Sequence, residues 1–458
     1  MNNRYTVVLA AGKGTRMQSK LYKVLHKVCD RTMVELVLDS VADLNMKEIV
    51  TVVGHGAELV KKAVGNRSKF VLQSDQLGTG HAVKMAKDIL ADKKGTTIVM
   101  YGDTPLIKSE TVDNMLKHHE ETRAKATVLT SYTENPYSYG RIIRDEKGKL
   151  LKIVEEKDAS VTEKQIKEIN SGIYCFDNEL LFEMLELVKN NNTQGEYYLP
   201  DVLYLLREKS EKIETYFCAD FDETFGVNDR VALSYAENVM RKRINEKHML
   251  NGVTLVDPSS TYIAPNAIIG RDTTIYPNVT IKSNTIIGDD CKIKPNSYLE
   301  NSKIGNSVDV LQSTIIDSEV GDNSTVGPYA HLRNNTVLGS DVRVGNFVEL
   351  KNAKYGNGAK TSHLSYMGDV TVGDNTNIGC GTITVNYDGK NKYETKIGKD
   401  TFIGCNSNLI APLEIGNGVV VAAGTTVTEN IKDDTLAIAR VKQENKEGYA
   451  KRLPAGRK

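Results

Sequence analysis

The sequence predicts an α/β domain followed by an all-β domain: a Rossmann-like N-terminal half with a largely parallel sheet, a linking helix, and a C-terminal parallel β-helix. Three observations carry this. Up to about residue 228 short β-branched runs alternate with helical patterns, from about Val253 aliphatic residues recur every six positions, and between them lies one helical period. With 458 residues, 40% of them hydrophobic, the chain can bury more than one core. The expected boundaries are 1–229, 230–250 and 251–458.

In the first half, Tyr5–Ala11, "EIVTVVGH", "KFVLQSD", "TTIVMYGD" and "KATVLTSY" read as strands, and "HAVKMAKDIL" as a helical segment. Several strands run into polar or glycine-containing loops, and ligands of such sheets bind beyond the strands' carboxyl ends. The stretch "LAAGKGTRM" places Gly12 and Gly14 after the first strand with Lys13, Arg16 and Lys23 nearby. Bare N–H groups and three cations suit a phosphate; the alternative is an ordinary strand-to-helix turn. It is neither a Walker loop nor a dinucleotide fingerprint, whose third glycine is here Met17. Asp103 ends a strand, where it can ligate magnesium or simply cap a turn. Gln73, Gly78 and Thr79 suit the edge of a base, or an ordinary loop and N-cap.

In the second half the six-residue spacing runs through Ile263, Ile269, Ile275, Ile281, Ile287, Ile293 and Leu299. It resumes from Val320 to Leu350 and from Ile397 to Val427. Glycine often follows the aliphatic residue, and a small residue lies four positions beyond it. Each side of such a coil points one aliphatic residue inward and turns a corner, so stacked coils make a prism whose outer faces can build sites. "VNYDGKNKYETK" breaks the register and is expected to project. Between the halves, Val231, Ala232, Tyr235, Val239 and Met249 mark the apolar face of the linking helix. The basic "YAKRLPAGRK" at the end reads as a solvated tail.

Lys plus Arg balances Asp plus Glu at 59 each, so no overall field favours nucleic acid or an acidic membrane, and small molecules are the expected partners. No stretch approaches the roughly 20 apolar residues of a membrane span, and a cytoplasmic protein is expected. Six scattered cysteines without C-x-x-C indicate neither a zinc site nor a disulfide framework.

"LAAGKGTRM", "KVLH", "QLGTGHA", "YGDTPL", "YGRI", "INSGIY", "NNNTQGEYYL" and "GVNDR" together resemble the sugar-1-phosphate nucleotidyltransferase half of the bifunctional N-acetylglucosamine-1-phosphate uridyltransferase/glucosamine-1-phosphate N-acetyltransferase family. "GPYAHLR", "VGNFVELKNA", "SHLSYMGD", "NIGCGTITVNYDG" and "AAGTTVT" resemble its second half, a left-handed β-helix. The resemblance covers nearly the whole chain. It implies contacts to UTP and the UDP-sugar at Leu9, Ala10, Ala11, Gly12, Lys23, Gln73, Gly78, Thr79, Tyr101, Gly102, Asp103 and Asn228, and to the sugar phosphate at Gly140, Glu155 and Asn170. Arg16 and Lys23 would act on the phosphates, and magnesium would lie between Asp103 and Asn228. In the β-helix it assigns the amino-sugar phosphate to Arg333, Lys351, Tyr366, Asn377 and Lys392. Acetyl-CoA falls to Cys380, Asn386, Tyr387, Cys405, Ala423 and Arg440. His363 is the implied general base, because an amine must lose a proton to attack a thioester and imidazole titrates near neutrality. The resemblance also implies a homotrimer.

The implied function is acetyl transfer from acetyl-CoA to glucosamine-1-phosphate, then uridylyl transfer from UTP to give UDP-N-acetylglucosamine. The alternatives are a single-function nucleotidyltransferase with a regulatory β-helix, and a non-enzymatic assembly subunit. Three departures stand out: Cys380 and Cys405 replace the common Ala and Ser, and Tyr22 replaces the Pro before Lys23.

Overall fold

The computed structural model of the chain describes residues 3–452 and divides into two compact units, up to Arg241 and from Lys242 onward. In the first unit, nine strands form one sheet. They are β1 (Arg4–Ala10), β2 (Glu48–Val53), β3 (Lys69–Leu72), β4 (Thr96–Tyr101), β5 (Ala126–Tyr132), β6 (Gly140–Arg144), β7 (Leu150–Val154), β8 (Glu168–Asp177) and β9 (Ile213–Cys218). Across the sheet the order is β9-β5-β8-β4-β1-β2-β3, with β6 joined to β8 and to β7. Five strands the sequence marks (β1 to β5) are thus present. The sheet is more mixed than the sequence suggests: β1 pairs in parallel with β2 and β4, while β8 runs antiparallel between β4 and β5. β1 is apolar from Val7 to Ala10 because both faces are covered: Val7 and Leu9 pack into one core, Val8 and Ala10 into the other.

In the second unit the described residues form 26 strands, two of 13 residues and the rest of two or three, which wind into a parallel β-helix in which each strand generally pairs with the one three places on, giving three faces per coil. This is the left-handed β-helix class expected of hexapeptide repeats. The register shows why the period is six. Ile263 lies under Ile281 and Ile281 under Leu299, so identical positions stack and every predicted aliphatic residue is buried. The small residues fill the corners and satisfy backbone there; Thr273 Oγ1, for instance, donates to Gly288 O at 2.8 Å. Glycine follows the aliphatic residue because adjacent coils touch, and a Cβ on Gly404 would come within 2.5 Å of Ala423 N. Many corners are turned by Asn or Asp with φ near +55°, such as Asn323, Asp341, Asn375 and Asn406.

A helix spans Arg230–Leu250, but its buried face is not the predicted one. Val231, Tyr235 and Met249 are exposed, whereas Ala236, Ile244, Asn245 and His248 are buried. The apolar period misled because a polar side chain serves better here: Asn245 Nδ2 donates to Pro258 O at 2.8 Å and to Thr261 O at 3.1 Å. Of the basic tail, Tyr449–Arg452 form an exposed 3-10 turn, and residues 453–458 lie outside the described residues.

Candidate active sites

Because β1, β2 and β4 are parallel neighbours, their carboxyl ends share one edge of the sheet, and the loops leaving it wall a cavity of about 420 Å³. Leu9, Ala11, Gly12, Lys23, Gln73, Gly78, Thr79, Tyr101, Asp103, Gly140, Glu155, Asn170 and Asn228 line it. Ala10 and Gly102 do not; Gly102 N–H is bonded to Leu9 O at 2.9 Å, tying the β4 loop to β1. Gln76, Tyr139 and Glu196 line the cavity without having been singled out, although each stands inside a quoted motif.

The two glycines of the first loop differ in kind. Gly14 has φ +65°, and a Cβ there would come within 2.5 Å of Lys23 Cβ, so the fold itself requires glycine. A Cβ on Gly12 would meet nothing within 4 Å. Protein packing therefore does not account for glycine at this position. Tyr22 keeps φ at −64°, where a proline would also sit, and its ring lies over Gly56, whose Cβ would fall 1.9 Å from it.

Val227 N–H donates to Asp103 O at 2.8 Å and so seats Asn228 beside the aspartate. Lys23 Nζ bonds Asp103 Oδ2 and, at 3.1 Å, Asn228 Oδ1. Arg16 Nη2 donates to the same amide oxygen at 2.9 Å. Two hard oxygens therefore converge on one point that an ammonium holds.

At the other end, a Cβ on Gly140 would lie 3.1 Å from Glu155 Oε1 and 3.5 Å from Asn170 Cβ, so these three residues are mutual neighbours. Between Asn170 and Tyr174 the β8 ladder shifts register, and Asn170 Nδ2 donates to Tyr174 OH at 2.7 Å. Burial, reinforced by Asp158, pushes the Glu155 carboxyl up, with Arg141 opposing. The buried Arg141 braces this wall, donating to Tyr139 O and, at 2.6 Å, to Glu156.

On the β-helix, one corner carries a ladder of functional candidates. Asn346 pairs with His363, and the register continues to Cys380, Cys405 and Ala423, whose carbonyl accepts from Arg440 Nη1 at 2.9 Å. His363 is exposed and its Nδ1 is 3.0 Å from Asn346 Oδ1. With that amide oxygen accepting, Nδ1 carries the proton and Nε2 keeps its lone pair outward. Asn346 was not singled out; it lies within the quoted "VGNFVELKNA".

A second cluster surrounds Asp369, which accepts from Lys351 Nζ at 3.1 Å, Asn352 Nδ2 at 2.8 Å and Asn386 Nδ2 at 2.5 Å. Arg333 stacks under Lys351 and is held by Glu349 at 2.6 Å. Burial works to lower Lys351, but Asp369 prevails and raises it; Lys392 is held below the lysine range by Lys351 beside it. Burial works to raise Asp369, and its three donors overcome this. Arg333, Lys351, Tyr366 and Lys392 are thus gathered, and Asn386 joins this cluster rather than the corner of Cys405. Tyr387 sits at the base of the projecting loop, bridged to Lys392. Asn377 stands apart, in the column of Arg343, Lys360 and Phe402 on another face.

The nucleotidyl transferase family matches residues 5–221, the GMPPB C-terminal domain residues 258–357, and the six-repeat bacterial transferase hexapeptide family residues 394–429. Bifunctional protein GlmU of Staphylococcus epidermidis is 58% identical over 98% of this chain and 100% of its own. GlmU of Halalkalibacterium halodurans is 55% identical over 98% and 99%, and that of Listeria monocytogenes 55% over the full length of both. The chain belongs to the GlmU family. As a GlmU it is a bifunctional enzyme, with a nucleotidyltransferase half and a hexapeptide acyltransferase half, and a purely regulatory β-helix is not favoured. The nucleotidyltransferase half of a GlmU implies a divalent metal, and its substrates are small molecules. No described helix is long and apolar enough to cross a membrane.

Proposed function

We propose that the cytoplasmic enzyme acetylates glucosamine-1-phosphate at the β-helix and then joins the product to UTP in the cavity of the first unit, releasing UDP-N-acetylglucosamine and pyrophosphate. The convergence of Arg16, Lys23, Asp103 and Asn228 beside the open Gly12 backbone carries this reading. The sugar-phosphate oxygen attacks the α-phosphorus of UTP in line. Gly140, Glu155 and Asn170 orient the sugar, Gln73, Gly78 and Thr79 the base, and the Gly12 N–H with Arg16 and Lys23 meets the phosphates. Magnesium fits Asp103 and Asn228, because their oxygens already converge on a cation, and it would supply charge neutralisation on the phosphates. Lys23 Nζ, within reach of both oxygens, would share the charge neutralisation of the phosphates.

In the β-helix, Lys351, Lys392, Arg333 and Tyr366 hold the sugar phosphate, and His363 Nε2 takes the proton from the attacking amine. Asn386, Tyr387, Ala423 and Arg440 meet acetyl-CoA, Cys380 and Cys405 form that cleft's wall, and an N–H near residue 380 faces the oxyanion. We further propose a homotrimer, which brings Asn377 of one copy to the cluster of another; its position on a separate face supports this. Incubation with glucosamine-1-phosphate, acetyl-CoA, UTP and magnesium should yield UDP-N-acetylglucosamine and pyrophosphate. Failure to form either product would refute the assignment, and a monomer by sedimentation would refute the trimer.

A further inference from the structure

Cys380 and Cys405 stand one above the other. Ile378 pairs in parallel with Ile403, and two backbone bonds carry that register round the corner: Gly379 N–H to Ile403 O at 2.8 Å and Asn406 N–H to Cys380 O at 2.7 Å. In a parallel pair the second bond sets Cys380 directly opposite Cys405. Neighbouring strands lie about 4.8 Å apart, inside the roughly 4.4–6.8 Å Cα separation a disulfide tolerates. Both thiols are free, with Cys380 half-buried and Cys405 exposed, whereas Cys29, Cys175, Cys218 and Cys291 are all buried. Gly379, Gly381 and Gly404, which carry no side chains, flank the pair.

We propose that Cys380 and Cys405 form a vicinal dithiol which a hydroperoxide converts, reversibly, into an intrachain disulfide that closes the acetyl-CoA corner. That consequence for activity rests on the function proposed above; the dithiol itself does not. One thiolate attacks the peroxide oxygen, giving a sulfenic acid and releasing water or an alcohol. The second thiolate then attacks the sulfenic sulfur and water leaves, so two thiols are oxidised as the peroxide is reduced by two electrons. Parallel registration holds the Cβ atoms farther apart than the roughly 3.8 Å a relaxed disulfide prefers. The bond is therefore strained and readily reduced, as suits a transient mark in a reducing compartment.

The test treats the full-length protein with hydrogen peroxide, blocks remaining thiols and maps the peptides by mass without reduction. A Cys380–Cys405 cross-linked peptide lighter by two hydrogens is expected. Acetyl transfer should fall by about tenfold or more, as a displaced co-substrate implies, and return with dithiothreitol, while uridylyl transfer is unchanged. Cys380→Ala and Cys405→Ser, each compared with its own untreated activity, should lose the cross-link and the dithiothreitol-reversible inactivation. Absence of the cross-link while single thiols are oxidised would overturn the proposal, as would reversible inactivation that persists in Cys405→Ser. A cross-link that leaves acetyl transfer intact would overturn its placement at the acetyl-CoA corner. A protein inactive in acetyl transfer before treatment would instead refute the functional assignment, with the dithiol still judged by mass alone.

Discussion

Replacing Gly12 and Gly14 by alanine, one at a time, separates what the first loop does for the fold from what it does for the ligand. At Gly14 the backbone is left-handed, which costs an alanine roughly 1–2 kcal/mol. The new methyl would also sit 2.5 Å from Lys23 Cβ, and overpacking of that kind adds about 1–3 kcal/mol. A loss near 3 kcal/mol lowers the melting temperature of a unit of this size by about 6–12 °C. At Gly12 the methyl meets no protein atom within 4 Å; the unit should melt where the wild type does, or slightly higher because the unfolded chain loses freedom. Its methyl nevertheless occupies the approach to the bare N–H, and a displacement of about 1 Å at reacting groups costs on the order of 100-fold in rate. Calorimetry of the first unit's transition and a pyrophosphate-release assay read the two effects independently. Wild-type uridylyl transfer in a well-folded Gly12→Ala protein, or unchanged stability in Gly14→Ala, would refute the reasoning.

The two active sites should fail separately: Asp103→Ala should abolish pyrophosphate release and spare acetyl transfer, and His363→Ala should do the reverse. Asn346→Ala should lower the kcat of acetyl transfer about tenfold with little change in KM, since it removes only the group that fixes the imidazole tautomer; Asn346→Asp should move the acidic limb of the pH–rate profile upward by stabilising imidazolium. Lys351 holds Lys392 below the usual lysine range, so Lys392 is charged below that lowered value and loses its charge as pH rises through it. Amino-sugar phosphate affinity should therefore weaken in the alkaline range, with proton uptake on binding seen by calorimetry in two buffers, and Lys392→Arg should abolish the alkaline loss. Mixed trimers of His363→Ala and Lys392→Ala chains should regain acetyl transfer if the two residues reach one site from different copies; no recovery would mean that a single chain builds the site.

What could be read from the sequence follows the length scale of the interaction that fixes it. The six-residue period is local and repeated, so the inward residues of the runs Ile263–Leu299, Val320–Leu350 and Ile397–Val427 were all legible, whereas Ile304, Val310, Ile315, Tyr355 and Met367, buried where the register slips, were not. The first sheet was legible where strands were long, apolar and followed by glycine, as at β1 and β4. The antiparallel insertion of β8 was not, because strand order depends on pairings far apart in the chain. In the linking helix a count of apolar residues pointed to Val231 and Tyr235, while burial followed the hydrogen bonds of Asn245, which have no periodic signature. Asp369 and Asn346 escaped for a related reason. Each matters through partners on the adjacent coil, 17 or 18 residues away in sequence, and only the stacked structure shows those partners.

The stacking of coils has a thermodynamic consequence for the acyl-donor end. Each coil is secured chiefly by the coils above and below it, so cooperativity is short-ranged and protection must decline toward the end of the stack. Ala423 and Arg440 stand on the last coils, where Val420 pairs onward only with Leu436. The proposed acetyl-CoA wall is thus placed where local opening costs least. A bound co-substrate would act as a clasp on that end, slowing amide hydrogen exchange from about residue 405 to 440 far more than in the coils around Ile281, which gain nothing from it.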